Sequence, residues 1–424
     1  MPAAPLNPEA ILNAGAADRG DAIDDVLTFR TDAAQLSQWA EDGRDMLAAI
    51  LSAAHAPDAV RVMRQFTQKE LIENYLGSAH VKPLRKWVRS HVIPRTKTSG
   101  EEGRVKLTIE DFHAYMAEHG LLPRRPEGSR AMRLMIGAYK GGSAKSSMTL
   151  HLAHALGIRG WRVLVVDSDP QATLTKAFGV PPELVNDEST LRPVFEAVAY
   201  SEDGEWVAPP MPFLETHIPS IKLTPANISL MQADMQMVNA FRNGTGGGFY
   251  TVMDESLKRV DQDFDFVLVD TPPAFSMTSI AMLYAAEGLI LPMPTEIPDF
   301  AASFDFCEMV GDLFARLGEL EGTHKTWNPV IVAHSKVKST QAADQVRRLA
   351  AGIYKGARIE EFIPDTAAVS NSFGDFKSVF EATSSTVDGK SLARAREAYM
   401  AMTDRLLRVV TSIWDQQVKE VTNG

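Results

Sequence analysis

Short, unbroken apolar runs punctuate the chain from about residue 130 onward. They are Leu134 to Ala138, Arg162-Val-Leu-Val-Val-Asp, Phe264-Asp-Phe-Val-Leu-Val-Asp, Gly288-Leu-Ile-Leu-Pro-Met and Val330-Ile-Val-Ala-His. Runs of this length bounded by turn residues read as strands covered on both faces, the signature of a parallel sheet. Between them the spacing turns helical: Leu150, Ala153 and Leu156 share one face, and Phe300 to Leu317 and Thr340 to Ile353 read as helices. Strands alternating with helices predict an α/β domain with a doubly wound, mostly parallel sheet over residues 126–424.

The front of the chain has a different rhythm. Leu36, Trp39, Met46, Leu47, Ile50 and Leu51 recur at helical spacing among acidic residues. They predict an amphipathic helix in a segment 1–60, suited to capping the next domain or to pairing with a second copy. In Phe66-Thr-Gln-Lys-Glu, Thr67 and Glu70 have capping-box spacing and start a short helix. Gly77 supplies a turn. A second helix, Val81-Lys-Pro-Leu-Arg-Lys-Trp-Val-Arg, turns Leu84, Trp87 and Val88 inward and Lys82, Arg85, Lys86 and Arg89 outward. A polar loop from Pro94 to Gly103, a wing strand at Arg104-Val-Lys-Leu-Thr and a helix from Ile109 to His119 complete a winged helix-turn-helix pattern over 61–125. Its second helix suits a DNA major groove. Leu122-Pro-Arg-Arg-Pro-Glu-Gly-Ser marks the boundary.

Charge sharpens this division. The net charge is −11, yet residues 61–106 hold eleven Lys/Arg against four acids, so that segment is +7 and the remainder −18. Such a local inversion is an electrostatic footprint for phosphate backbones, DNA contacts falling on Lys82, Arg85, Lys86, Arg89, Arg104 and Lys106; a solvated basic face is the alternative. The single cysteine, Cys307, excludes a disulfide framework and is expected in the core. No run reaches the ~20 apolar residues of a membrane span, and no signal-peptide pattern opens the chain, so a cytoplasmic location is expected.

The chemistry concentrates in Lys140-Gly-Gly-Ser-Ala-Lys-Ser-Ser147, between the first buried strand and a helix. Glycines there let backbone N–H groups close around phosphate oxygens, with the positive end of the helix dipole facing the same point. Lys145 would reach the β/γ-phosphates and the Ser146 hydroxyl would ligate Mg²⁺. Two further strands end in carboxylates, Asp167-Ser-Asp169-Pro-Gln and Val-Asp270-Thr-Pro-Pro. In a parallel sheet these strand ends converge on one crevice, and the implied site is for a nucleotide.

These three ordered motifs resemble the ParA group of deviant-Walker ATPases, in its larger form with an N-terminal winged helix-turn-helix domain. The departures are Ala144 for the commoner glycine and Ser146 for threonine. The resemblance implies ATP and Mg²⁺ as cofactors and weak, partner-stimulated hydrolysis to ADP and phosphate. It makes Lys140, Gly141, Gly142, Ser143, Ala144, Lys145, Ser146 and Ser147 the nucleotide loop and Lys140, Lys145 and Asp169 the catalytic set, Asp169 orienting water. Ser146, Asp167 and Asp270 hold Mg²⁺, the carboxylates through waters. Lys140 would reach a partner's nucleotide in an ATP-bound homodimer. The implied role is plasmid or replicon partition on nucleoid DNA with a ParB-type partner. Autoregulation of the operon through operator DNA follows from the front domain, and higher-order filaments are compatible.

Two later stretches carry the resemblance further: Pro292 to Phe300 with Ser303, and Val369-Ser-Asn-Ser-Phe-Gly with Ser378-Val-Phe-Glu381. Ser335 to Thr340, with Arg347 and Arg348, falls where relatives place base contacts and DNA-binding cations; a solvated helix face fits it equally. His151, His154, His324 and His334 show no metal-ligand spacing and read as packing or surface residues. Two other functions compete. One is an ATP-responsive transcriptional regulator with little hydrolysis. The other is a MinD-like membrane-associated ATPase, for which Arg405 to Trp414 would have to be a membrane-facing helix.

Overall fold

A computed structural model describes residues 61–91, 93, 105–138, 140–201, 204–322 and 324–423, with scattered helical positions between 34 and 46. The loop 94–104, Arg104 included, and most of the expected N-terminal helix lie outside the described residues.

The main sheet has eight strands: β3 (Met132–Ile136), β4 (Val163–Asp167), β5 (Leu214–Glu215), β6 (Ile221–Thr224), β7 (Phe266–Asp270), β8 (Gly288–Pro294), β9 (Val330–Val337) and β10 (Arg358–Pro364). Their order is β10-β9-β8-β3-β7-β4-β6-β5, parallel except for the β5–β6 edge pair. The expected mostly parallel α/β fold is therefore present. β3, β4 and β7 are buried along their whole length, which is why they read as unbroken apolar runs rather than alternating ones.

Successive side chains in β3 go to opposite faces. Met132, Leu134 and Ile136 join one core with α4 (Lys145–Ile158) and the 35-residue α13 (Gly389–Asn423). Met135 joins the other. This second layer holds α6 (Arg192–Ala199), α7 (Leu230–Arg242), α8 (Val252–Lys258), α9 (Met277–Ala285), α10 (Ile297–Glu321) and α11 (Gln341–Tyr354). Trp414 anchors α13: its ring is buried, and Nε1 donates to the Arg130 carbonyl at 2.9 Å. The 405–414 stretch thus spends Leu406, Val410, Ile413 and Trp414 on the core rather than on a lipid surface. Among the described residues no helix is long and apolar enough to cross a membrane.

Residues 62–424 form one compact unit. At its front, β1 (Phe66–Thr67) pairs antiparallel with β2 (Lys106–Leu107). Thr67 caps α1 (Gln68–Leu71), accepting from the Glu70 N–H at 3.1 Å, but the expected capping box is only half made. The Glu70 carboxylate binds Arg64 instead, because that side chain presents a guanidinium on the same side. Gly77, where a turn was expected, has φ 80° and ψ 168°, a backbone conformation that favours glycine. In α2 (Val81–Ser90), Leu84 and Trp87 are buried and Val88 half-buried, while Lys82, Arg85, Lys86 and Arg89 are exposed. Helix α3 (Ile109–Glu118) opens with a complete Thr108/Asp111 capping box.

The junction that follows is pinned. Arg124 donates to the Gly160 carbonyl at 3.2 Å, and Arg125 to the Phe264 and Asp261 carbonyls at 3.2 and 3.1 Å. Phe66, Leu84, Leu107, Phe112 and Tyr115 continue the hydrophobic layer that contains α4 and α13. Cys307 departs from expectation: it sits on the exposed side of α10, whose buried stripe runs through Phe306, Val310 and Phe314.

Candidate functional site

Register builds the site. Asp270, at the end of β7, lies opposite Ile136 at the end of β3 and opposite Asp167 at the end of β4. Three strand ends therefore meet where β3 gives way to the 137–144 loop. That loop turns into α4 through Ala144, which holds φ 73°, ψ 26° as the N-cap. Gly142 is also left-handed, at φ 78°. Successive left-handed and helical residues at a helix start leave N–H groups facing outward as an anion nest. The loop is clamped from behind: Ser335 Oγ donates to the Ser143 carbonyl at 3.1 Å and Lys336 Nζ to the Gly142 carbonyl at 2.7 Å.

Lys145 is buried, its Nζ 3.4 Å from the Lys140 carbonyl. Burial lowers its pKa against the pull of Asp270 and Asp169. Asp167 is fully buried. One oxygen accepts from the Thr175 N–H and hydroxyl at 2.8 and 2.7 Å, the other from the Asp169 N–H at 3.1 Å. Burial nevertheless pushes its pKa up to about 7, the hydrogen bonds opposing. Asp270 is more extreme: burial, then Asp167, raise it well above the carboxylate range, with the Ser146 hydroxyl and Lys145 opposing. Neither Asp270 oxygen has a hydrogen-bond partner. Asp169 is half-exposed, and its Oδ1 accepts the Gln171 N–H at 2.9 Å in a tight turn.

An orphaned, fully buried carboxylate beside a serine hydroxyl and an anion nest is what a divalent cation would satisfy. Asp270 and Ser146 fit that role. Asp167 fits it less directly, because three donors already occupy its lone pairs. Around this point opens a cleft of about 370 Å³, lined by Gly141, Gly142, Lys145, Ser146, Asp169 and, opposite, Lys336 and Thr366. Lys140 takes another direction: its Nζ is 3.0 Å from Asp299 Oδ2, near the start of α10. Sequence reasoning placed the loop and all three carboxylates at one point. It missed Thr175, whose role depends on long-range approach, and it singled out the Ser335 to Thr340 stretch without foreseeing that Lys336 clamps the loop.

The front cations Lys82, Arg85, Lys86 and Arg89 form an exposed face on α2. Lys106 sits in β2, half-buried. His151 and His154 are both fully buried in α4, so neither is a surface residue. Arg347 lies over the Phe362 ring at 4.5 Å.

Fold and site define a P-loop nucleotide-binding protein with a deviant loop. Residues 132–309 match a family model described as an AAA domain. A protein of Sinorhizobium fredii, provisionally named replication protein A, is 24% identical over 378 residues, covering 85% of this chain and 90% of its own. The chromosome-partitioning ATPase Soj of Thermus thermophilus is 30% identical over 168 residues, 40% of this chain and 57% of Soj. A solved structure named "Partition Protein" shares the fold at TM-score 0.59 and 19% identity, covering 87% of this chain and 98% of that one. The chain is thus similar, over part or most of its length, to proteins named for replication and for partitioning, and it shares the fold of a partition protein.

Proposed function

We propose that this chain is an ATP-dependent partition ATPase that cycles between ATP-bound and ADP-bound states on DNA. The observation that carries the reading is the convergence of Lys145, Ser146 and the unpartnered Asp270 carboxylate at one helix N-terminus. Nest N–H groups and Lys145 bind the triphosphate, so charge that develops on the γ-phosphoryl group meets fixed positive groups. Mg²⁺, held by Ser146 and Asp270 with Asp167 behind them, would supply charge neutralisation. Asp169, half-exposed at the cleft, orients the attacking water.

Lys140 is tethered in cis to Asp299, and the ATP-bound dimer redirects it to the partner's nucleotide. The relatives named for partitioning support replicon segregation, with a ParB-type partner stimulating hydrolysis. The exposed cationic face of α2 and the Phe66–Leu107 ribbon support a winged helix-turn-helix reading of operator DNA, and hence autoregulation. ATPase assays with and without DNA, beside duplex binding in ATP, ADP and no nucleotide, test this. The expected result is DNA binding that requires ATP and is lost in Lys145→Ala, with turnover lost in Asp169→Ala. Equal turnover in the native chain and Asp169→Ala, with DNA binding indifferent to nucleotide, would instead favour a ligand-responsive regulator.

A further inference from the structure

Away from the nucleotide cleft, three elements far apart in sequence bring two imidazoles and a carboxylate together. His154 lies on α4, one turn beyond His151. His217 lies between β5 and β6. Glu381 closes the turn after α12 (Ala367–Gly374). Their side chains are 0–5% exposed. Nε2 of His217 is 3.0 Å from Glu381 Oε1, and Nδ1 of His154 is 3.5 Å from Glu381 Oε2. One donor atom from each residue lies within 4.8 Å of the other two.

His217 is the anomaly. Neither of its ring nitrogens makes a hydrogen bond, although the side chain is 2% exposed. A buried imidazole left that way keeps a desolvation cost that no hydrogen bond offsets, unless an ion or water fills the gap. The 3.0 Å approach to Glu381 lacks hydrogen-bond alignment, so the two groups aim at shared space rather than at each other. We propose that His154, His217 and Glu381 form a buried transition-metal site, best matched to Zn²⁺.

The donor chemistry selects the metal. Two neutral imidazoles and one carboxylate suit Zn²⁺ far better than Mg²⁺ or Ca²⁺, which take oxygen donors. Zn–N and Zn–O bonds of about 2.0–2.2 Å in a tetrahedron put ligand atoms roughly 3.4 Å apart. The donor atoms lie within 4.8 Å of one another, so contraction onto an ion needs side-chain shifts of no more than about an ångström. The Ser378 N–H donates to Glu381 Oε2 at 2.8 Å and orients it, and Ser378 Oγ, 2.7 Å from His154 Nδ1, would give up that contact to the ion and stand close enough to serve as a fourth ligand. Phe178 packs edge-on to the His154 ring at 5.3 Å. The ion would clasp the helix that starts at the nucleotide loop to the 378–381 turn, so the site is structural rather than catalytic.

The test uses the untagged full-length chain, stripped with chelator and kept without nucleotide in excess Mg²⁺ so that the cleft does not compete. Zn²⁺ is titrated calorimetrically and Co²⁺ by visible absorption, beside His217→Ala and Glu381→Gln. The expected result is one ion per chain, intense four-coordinate Co²⁺ bands, a higher melting temperature in Zn²⁺, and loss of all three in His217→Ala. The Co²⁺ spectrum of the native chain answers even if a variant fails to fold. Absence of stoichiometric binding by the native chain, or binding that survives in folded His217→Ala, overturns the proposal. Neither result touches the nucleotide reading, which Lys145→Ala tests separately.

Discussion

Ala144→Gly is the sharpest single test of how the nucleotide loop is built. Ala144 sits at φ 73°, ψ 26°, where a Cβ crowds its own backbone. That left-handed conformation costs a non-glycine residue about 1–2 kcal/mol. Glycine removes the cost but returns about 0.4–1 kcal/mol through the freer unfolded chain. Losing a half-buried methyl costs a further ~0.4 kcal/mol, half the value of a buried CH₂. The remainder is a stabilisation of about 0.5 kcal/mol. The contrast is Ala155→Gly, on the same helix but in its buried interior. There glycine costs about 1 kcal/mol of helix propensity and ~0.8 kcal/mol of buried methyl, close to 2 kcal/mol in all. Urea melts of nucleotide-free protein should separate the two variants by about 2 kcal/mol with opposite signs relative to the native chain. If Ala144→Gly destabilises as much as Ala155→Gly, the loop is not strained at this residue and the reasoning fails.

Other consequences follow from particular contacts. Arg133 is buried against Asp254 at 2.6 Å and Asp261 at 3.3 Å, which keep Lys258 and Arg125 when it is removed, so Arg133→Ala should cost about 1.5–3 kcal/mol by urea melt. Arg64 Nε donates to the Phe380 carbonyl at 2.6 Å and its guanidinium binds Glu70, so Arg64→Ala should cost about 1.5–3 kcal/mol. For pH, the raised Asp167 pKa, about 7, means the unfolded chain ionises first; this contribution to stability is full below about pH 4 and lost as pH rises to 7. His151 and His334, lowered to about 4 by burial, act oppositely: their contribution is full above pH 6.5 and lost as pH falls to about 4. Asp167→Asn should therefore steepen the acid-side loss of stability, and an unchanged pH profile would contradict these assignments.

Much of the site was legible because its signals are local. A strand, a glycine turn and a helix are contiguous, and Asp167 and Asp270 end apolar runs whose parallel pairing puts them side by side. Ala144 stood out as a departure, but its left-handed φ could be known only from the backbone. Other features rest on approaches between distant segments. Helix α4 was read as having one apolar face; the structure buries nearly all of it, because sheet and α13 cover it from both sides. Glu70 looked like the second half of a capping box and was taken by Arg64, whose position depends on the turn at Phe380. His217 carried no signal, since its partners lie 63 and 164 residues away in sequence. Cys307 was expected inside because free cysteines are usually buried, whereas the α10 stripe left it outside.

The turn from Ser378 to Ala382 explains how a nucleotide event can reach the basic front of the molecule. On one side its Val379 N–H donates to His151 Nε2 at 3.0 Å, tying it to the helix that begins at Lys145. On another, Arg396 of α13 donates to the Val379 and Ala382 carbonyls at 2.8 and 2.6 Å. On the third, Arg64 holds the Phe380 carbonyl, two residues before β1 begins and ahead of the α2 cations. Burial and the nearby positive charge of Arg64 lower the Arg396 pKa to about 10, so the two guanidiniums share the turn against mutual repulsion. On the proposed function, a shift of α4 with nucleotide would change which of these carbonyls is in reach, and the repulsion would make the arrangement responsive to small displacements. Arg64→Ala should accordingly do more than destabilise. On the proposed function, it should reduce the difference in duplex DNA affinity between ATP and ADP while leaving ATP affinity at the cleft unchanged. Nucleotide titrations and duplex binding at fixed salt measure the two quantities separately. An undiminished ATP–ADP difference in a folded Arg64→Ala protein would mean that the coupling runs elsewhere.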